Sequence, residues 1–242
     1  MGFKDDCTTA VAEIAKTPFN FRTGQVVPKS EDVVLRNGAV QLNAAYLYAD
    51  MADSTGLVKH FSSFDAARII RAYLNAVSRV IRHRGGAIRS FDGDRVMAVF
   101  IGTDAASVAA QTALNITWVV ETIVHEQLKD HVDKYFDAYI EDEWRVRHRT
   151  GIDVGEALMV RAGVRDNNDL VSIGDAPNIA AKLSDIRDHR TSISDRTWDA
   201  LSYKTAFREK DGKAMWTEPR TVDLGGERKE VVRGSNWTWS IS

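Results

Sequence analysis

Residues 87–101 read AIRSFDGDRVMAVFI, and this stretch decides the fold. Ala87 to Phe91 and Arg95 to Ile101 are two short strand-like runs on either side of Asp92-Gly93-Asp94. A turn sequence of that kind between such runs predicts a β-hairpin, here with acid at its tip. Upstream, Gln41 to Asp50 predicts a strand in which Leu42, Ala44, Tyr46, Tyr48 and Asp50 share one face and Ala45, Leu47 and Ala49 the other. Both faces are apolar enough to be buried. Between strand and hairpin, after Ser54-Thr55-Gly56, apolar residues recur at three and four: Phe64, Ala67, Ile70, Tyr73, Leu74, Val77 and Ile81. That is the pattern of an amphipathic helix, and Gly85-Gly86 ends it.

Downstream, Asp104 is placed to cap a long helix running through Ala105, Ala109, Leu114, Trp118, Val119 and Ile123. The charged stretch His125 to Arg147 follows, and its alternating signs predict a solvated helical extension. A strand from His148 to Asp153, a turn at Gly155, a strand from Ala157 to Ala162 and a helix from Pro177 to Ile186 come next. Trp237 and Trp239 alternate in what reads as a final strand, and with Trp216 they are assigned to packing. Residues 1–40 read as an N-terminal arm: a short helix around Thr9 to Lys16, then a stretch broken by Pro18, Gly24 and Pro28 that need not pack as regular structure. Residues 41–242 are then expected to form one domain. The element order predicts an α+β fold, a sheet with helices on one face.

A chain of 242 residues is long enough to bury a full core as one domain. Its formal net charge of -2 gives no electrostatic ground for a nucleic-acid partner. Cys7 is the single cysteine, which excludes an internal disulfide and a cysteine-built zinc site. The N-terminus, with Lys4, Asp5 and Asp6, lacks an apolar run of signal-peptide type, and nowhere do eighteen apolar residues follow one another. A cytoplasmic protein without a membrane partner is expected. His60, His83, His125, His131, His148 and His189 show no metal-ligand spacing.

Two acids carry the candidate chemistry. Hard cations such as magnesium or manganese take oxygen ligands, usually a few carboxylates completed by carbonyls, water and phosphates. Asp50 closes a strand and Asp94 sits at the hairpin tip, so neighbouring strands could present both. Taken singly, each is an ordinary cap or turn residue.

In combination, residues 41 to 232 resemble the class III adenylate and guanylate cyclases. Tyr48-Ala49-Asp50-Met51-Ala52-Asp53-Ser54-Thr55 is similar to that family's metal block, and Gly93-Asp94 before Val96-Met97-Ala98-Val99-Phe100 to its hairpin. Arg149-Thr150-Gly151-Ile152-Asp153-Val154-Gly155 resembles its triphosphate block, and the run Ile173 to Leu183 resembles its Asn/Arg helix. The resemblance implies a ferredoxin-type sheet with helices packed on it and a head-to-tail homodimer. It implies two divalent metal ions, manganese or magnesium, held by Asp50, Asp94 and the backbone carbonyl of Met51. Arg149 would hold the triphosphate and Asn178 would orient the ribose. Lys182 stands where the family has its transition-state arginine; lysine keeps the charge and loses the planar fork.

Adenylate cyclases read their base with a lysine four residues before the hairpin Asp and an Asp seven before the helix Asn. Here those places hold Ser90 and Val171, which cannot reproduce that contact. The run Asp169 to Leu183 further resembles the pyrimidine cyclases of bacterial antiphage (Pycsar) defence. That resemblance implies conversion of UTP to 3′,5′-cyclic UMP and pyrophosphate, a second messenger for a separate effector. Tyr48, on the face of Asp50, is the candidate base contact. Cytidylate, adenylate or guanylate cyclisation, or an inactive nucleotide-sensing domain, are the alternatives. A Gly-Gly-Asp/Glu-Glu-Phe turn of diguanylate cyclases is absent from Phe91-Asp92-Gly93-Asp94.

Overall fold

In the computed structural model, residues 2–164 and 166–241 are described. Helix α1 (Phe3–Lys16) leads to strands β1 (Asn20–Thr23) and β2 (Gly38–Met51). Helices α2 (Leu57–His60) and α3 (Ser63–His83) precede the hairpin β3 (Ala87–Asp92) and β4 (Arg95–Phe100). Helices α4 (Ala105–Val119), α5 (His125–His131) and α6 (Asp133–Asp142) follow, then β5 (His148–Val164), β6 (Asn167–Ile173) and α7 (Asp175–Ser184). The chain ends through β7 (Thr191–Ser194), α8 (Asp195–Asp199), α9 (Tyr203–Ala206), β8 (Arg220–Asp223) and β9 (Lys229–Ser235).

Among the described residues nine strands make one mixed sheet, ordered β3-β4-β2-β5-β7-β9-β8, with β1 beside β2 and β6 beside β5. Strand β2 is its centre. It pairs antiparallel with β4 from Ala45↔Phe100 to Ala49↔Val96, and with β5 from Ala39↔Val160 to Met51↔His148. Residues directly opposite in an antiparallel pair point to the same side, so these registers sort the sheet into two faces. On one, Ala45, Leu47, Ala49, Val96, Ala98 and Ile152 pack with Ile69, Tyr73 and Val77 of α3 and Ala113 and Leu114 of α4. On the other, Leu42, Ala44, Tyr46, Met97 and Val99 pack with Ala176 and Ala180 of α7. Helices therefore cover both faces, which corrects the one-sided expectation. The physical reason is the two-sided apolar pattern of β2: each face needs a cover, and α3 with α4 can supply only one.

Gly151 lets α7 lie down on the second face. A Cβ at that position would stand 2.1 Å from the Ala180 carbonyl oxygen and 2.4 Å from the Ser184 nitrogen. At the hairpin tip, Gly93 has φ +60, the left-handed conformation that the turn requires and glycine adopts without strain.

Several local expectations are revised. Gly155 makes no turn, because β2 continues the ladder through it, Ala44 facing Gly155 and Ala45 facing Val154. The stretch after α1 does pack: β1 pairs in parallel with Gly38 to Gln41, and Val33 is buried with Val40 and Leu42. The charged stretch from His125 is helical but not merely solvated, since His125, Leu128, Tyr135 and Val146 are buried. Within α3, Ile69 and Ala66 face inward, whereas Phe64 at the first turn is exposed. Asp104 precedes α4 without a side-chain cap bond. Trp237 and Trp239 lie beyond β9 in non-strand chain, where they pack against the α3/α4-side core.

Candidate active site

Asp50 stands at the end of β2, on the α7 face. Its β5 partner is Arg149, and one step past the Ala49↔Val96 pair lies Arg95, the first residue of β4. Arg95 Nη2 donates to Asp50 Oδ2 at 3.0 Å and to Asp185 Oδ1 at 2.8 Å. One guanidinium thus bridges a strand-end carboxylate and a carboxylate just past α7. Burial raises the Asp50 pKa above its usual value; Arg95 opposes that shift, while the negative charges of Asp94 and Asp185 add to it.

Asp94, placed by the hairpin turn, has one carboxylate oxygen, Oδ2, buried with no hydrogen-bond partner among the described residues. The hydroxyl of Tyr73, reaching from α3, is likewise buried and unpartnered. Its pKa is raised first by burial and then by the charges of Asp50 and Asp94. A buried, unpartnered carboxylate oxygen beside a second carboxylate is costly alone and suits a hard divalent cation. The donor set therefore fits the metal ions that the sequence motifs imply. Met51 buries its side chain in the core and can offer such an ion only its backbone. Among the described residues no group of three or more His, Cys, Asp or Glu side chains converges. Two carboxylates would need completion by backbone, water or substrate oxygens.

Arg149 reaches Asp53, Nη2 to Oδ2 at 3.5 Å. Asp53 sits in the segment after β2 at φ +59, a left-handed conformation unusual for a non-glycine residue. Tyr48 is half-buried on the Asp50 face, between Met97 on β4 and Gly151 on β5. Burial raises its pKa and Arg95 lowers it, so the phenol lies within the field of that guanidinium. Ser90 on β3 is exposed and pairs with Met97, which puts it on the same face two strands away.

The remaining residues are elsewhere. Asn178 and Lys182 are exposed on α7, on the side away from Ile179, Ala180 and Leu183, which are buried. Lys182 Nζ comes within 3.5 Å of the Gly225 carbonyl, in the turn between β8 and β9. Val171 on β6 pairs with Val160, eleven positions along β5 from Arg149, roughly 36 Å at a strand's rise per residue. A single chain gathers Asp50, Asp94, Arg149, Tyr48 and Met51; Asn178, Lys182 and Val171 face away from that group. Arg95 and Asp185 were not singled out from the sequence. For Arg95 a signal existed, since pairing the hairpin's second strand with β2 sets it opposite Asp50; Asp185 became visible only once α7 was docked.

A long two-sided β2, an acid-tipped hairpin beside it and a helix laid over Gly151 define the fold of the class III nucleotidyl cyclases. The crystal structure of a guanylyl cyclase matches at a TM-score of 0.68 with 17% identity, covering 82% of this chain and 94% of that one. No protein-family model matches the chain. Among curated proteins, a uridylate cyclase from Rhodovulum sp. (strain MB263) is 37% identical over 98% of both chains, and one from Xanthomonas perforans is 32% identical over the full length of both. The chain belongs to the uridylate cyclase family and is a nucleotidyl cyclase.

Proposed function

We propose that the protein converts UTP to 3′,5′-cyclic UMP and pyrophosphate, on a site that Asp50 and Asp94 organise. The observation that carries this reading is the unpartnered buried oxygen of Asp94 beside Asp50, on the sheet face that also presents Arg149 and Tyr48. Two divalent ions, manganese or magnesium, would be held by Asp50, Asp94 and the Met51 carbonyl; bound there, they supply activation of the ribose 3′-hydroxyl and neutralisation of the triphosphate.

The chain's own residues do the rest. Arg149 holds phosphate oxygens through charge-assisted bonds, and Tyr48 lies beside the base. Ser90 and Val171 withhold the contacts by which adenylate cyclases read a purine. Asn178 orients the ribose and Lys182 adds charge at the transferring phosphoryl. Because both project away from Asp50 of their own chain, they serve the site of a second copy, and the working unit is a head-to-tail homodimer. Residues 41–242 carry the catalytic domain and residues 1–40 the arm, whose β1 pairs with the sheet and whose last residues, Gly38 to Val40, already begin the central strand β2. Likeness to the defence cyclases supports a second-messenger role read by a separate effector.

The test is to incubate purified protein with equal concentrations of the four nucleoside triphosphates and manganese, and to identify products by mass. Cyclic UMP should form fastest; faster cyclic AMP or cyclic GMP would overturn the base reading. Asp50→Ala and Asp94→Ala should each keep the circular dichroism spectrum and lose activity by at least about 3 kcal/mol of transition-state stabilisation.

A further inference from the structure

Helix α1 carries an apolar stripe that no described residue covers. Phe3, Cys7, Ala10, Val11 and Ile14 recur at three and four, so they share one side of the helix, with Asp5, Glu13 and Lys16 on the opposite side. Yet α1 has no buried residue: Phe3 is 85% exposed, Val11 65% and Ile14 70%. A lone helix of fourteen residues is marginal in water, and packing of an apolar side is what holds most helices in proteins. A matching surface exists on the sheet. A groove of about 410 Å³ is lined by Phe19, Phe21, Leu158 and Ile173, together with Gln41 and Glu156, which are hydrogen-bonded to each other at 2.8 Å. Phe19, Phe21 and Ile173 are each more than half exposed.

Register decides which side of the sheet this groove is on. Gln41 pairs with Leu158 and Leu158 with Ile173, and Gln41 shares the side of β2 that bears Ala45, Leu47 and Ala49. The groove is therefore on the α3/α4 side, opposite α7. The core beneath α3 and α4 takes in Ala45, Leu47 and Ala49 but neither Ala39 nor Gln41, so this end of the sheet is left without a helix over it. Strands β1, β2, β5 and β6 together span about 14 Å there, and the stripe from Phe3 to Ile14 is about 17 Å long. To lie on the groove of its own chain, α1 must reverse direction within Thr17 and Pro18, because Phe19 already lines it. Thr17 is extended, at φ -82 and ψ 118, and the Pro18 ring fixes its own φ, so the chain leads α1 away. A membrane surface is not the match either: α1 offers two lysines against three acids, without the basic excess that interfacial helices use. We propose that α1 of one copy lies in the groove of a second copy and receives the second copy's α1 in return, a two-fold exchange of N-terminal arms. Covering both stripes and both grooves removes on the order of 1,500 Å² from water, the size of a standard stable interface. This contact is on the other side of the sheet from the composite site proposed above, and it does not depend on the cyclase reading.

Cys7 lies on the stripe, is exposed and is the single cysteine, so a cross-link reports the contact directly. The full chain, carrying an affinity tag, is mixed with an untagged Cys7→Ser/Ile173→Cys chain, and mild oxidation is followed on a non-reducing gel. A disulfide joining tagged to untagged chain is expected. An untagged Cys7→Ser/Asn75→Cys chain, with its thiol on the exposed side of α3, should give at least tenfold less of that product. Val11→Ser/Ile14→Ser in the tagged chain should lower the yield as far; neither residue is buried, so the circular dichroism spectrum should stay that of a folded protein. A single chain carrying both Cys7 and Ile173→Cys tests docking within one chain: an internal disulfide in place of the one between chains overturns the exchange. So does a Cys7-to-Cys7 bond alone, which pairs helix with helix, and so does a yield that the two serines leave unchanged. Because the readout is a bond between chains, the result stands whether or not cyclic nucleotide is made.

Discussion

At the scale of single residues, Arg95 is the group that changes how the site is understood. It holds Asp50 and Asp185 together, and both ion-paired side chains at the Asp50 end are only about a quarter exposed, at 27% and 24%. A guanidinium in that position competes with any cation for the Asp50 oxygens. Arg95→Met should therefore tighten manganese binding to the nucleotide-free protein by about tenfold, or about 1.4 kcal/mol. Calorimetric titration measures this, and equal or weaker binding in the variant would show that Arg95 does not compete. Asp50 and Asp94 were legible as candidate ligands because each sits at a place where local pattern ends, a strand terminus and a hairpin tip. Their guanidinium partner was not, because no local rule says which side chain from another strand will meet them.

Two junctions between elements can be tested directly. The first is α7 on β5, where Gly151 leaves room for helix backbone. Gly151→Ala puts a methyl group at 2.1 Å from the Ala180 carbonyl, and backbone cannot yield as a side-chain tip would. A loss of about 3 kcal/mol or more in urea unfolding is expected, with α7 displaced and activity gone. Near-wild-type stability would mean that α7 is free to shift. The second junction is β5 on α4, where the Oγ1 of Thr117 and Nε2 of the buried His148 lie 3.2 Å apart. Burial, and then the positive charge of Arg190, push His148 from its ordinary 6.5 down to about 3. The unfolded chain takes up this proton below pH 6.5 while the native state resists it to about pH 3. Stability is thus full above pH 6.5 and falls as pH drops toward 3. Buried His125, lowered by burial, acts in the same direction. At pH 5 the His148 contribution is about 2 kcal/mol. His148→Gln should flatten the profile of unfolding free energy between pH 7 and 5; an unchanged slope would assign the acid sensitivity to other groups.

For the whole molecule, the decisive question is where Asn178 and Lys182 work. Both are exposed on the outer side of α7, away from the carboxylates they are proposed to assist. If they complete a second copy's site, Asp50→Ala and Asn178→Ala should each be inactive alone. Mixed together, they should recover part of the activity. In the mixed dimer one interface carries both lesions and the other carries neither. Absence of rescue, with subunit exchange demonstrated, overturns the composite site. Val171, at a place where adenylate cyclases read their base, and Tyr48, the candidate base contact, lie far apart in one chain, and only a composite site would bring them together.

Local periodicity was enough to place β2, α3, the hairpin, α4 and α7, because alternation and three-to-four spacing are set by backbone geometry that neighbours in sequence share. Turn chemistry located Asp94, and ordered motifs pointed to Asp50, Arg149 and the α7 residues. The sequence misread Gly155 as a turn, since a glycine's conformational freedom is visible locally but the ladder that holds it extended comes from β2, more than a hundred residues away. It also put all the helices on one face, whereas α7 covers the face opposite α3 and α4. Only tertiary structure decided that helices lie on both sides of the sheet, that Arg95 clamps Asp50 to Asp185, and that α1 and the Leu158 end of the sheet each leave an apolar surface uncovered. Each of these depends on register and docking between distant segments, which are settled by packing of the whole core and not by any one stretch of chain.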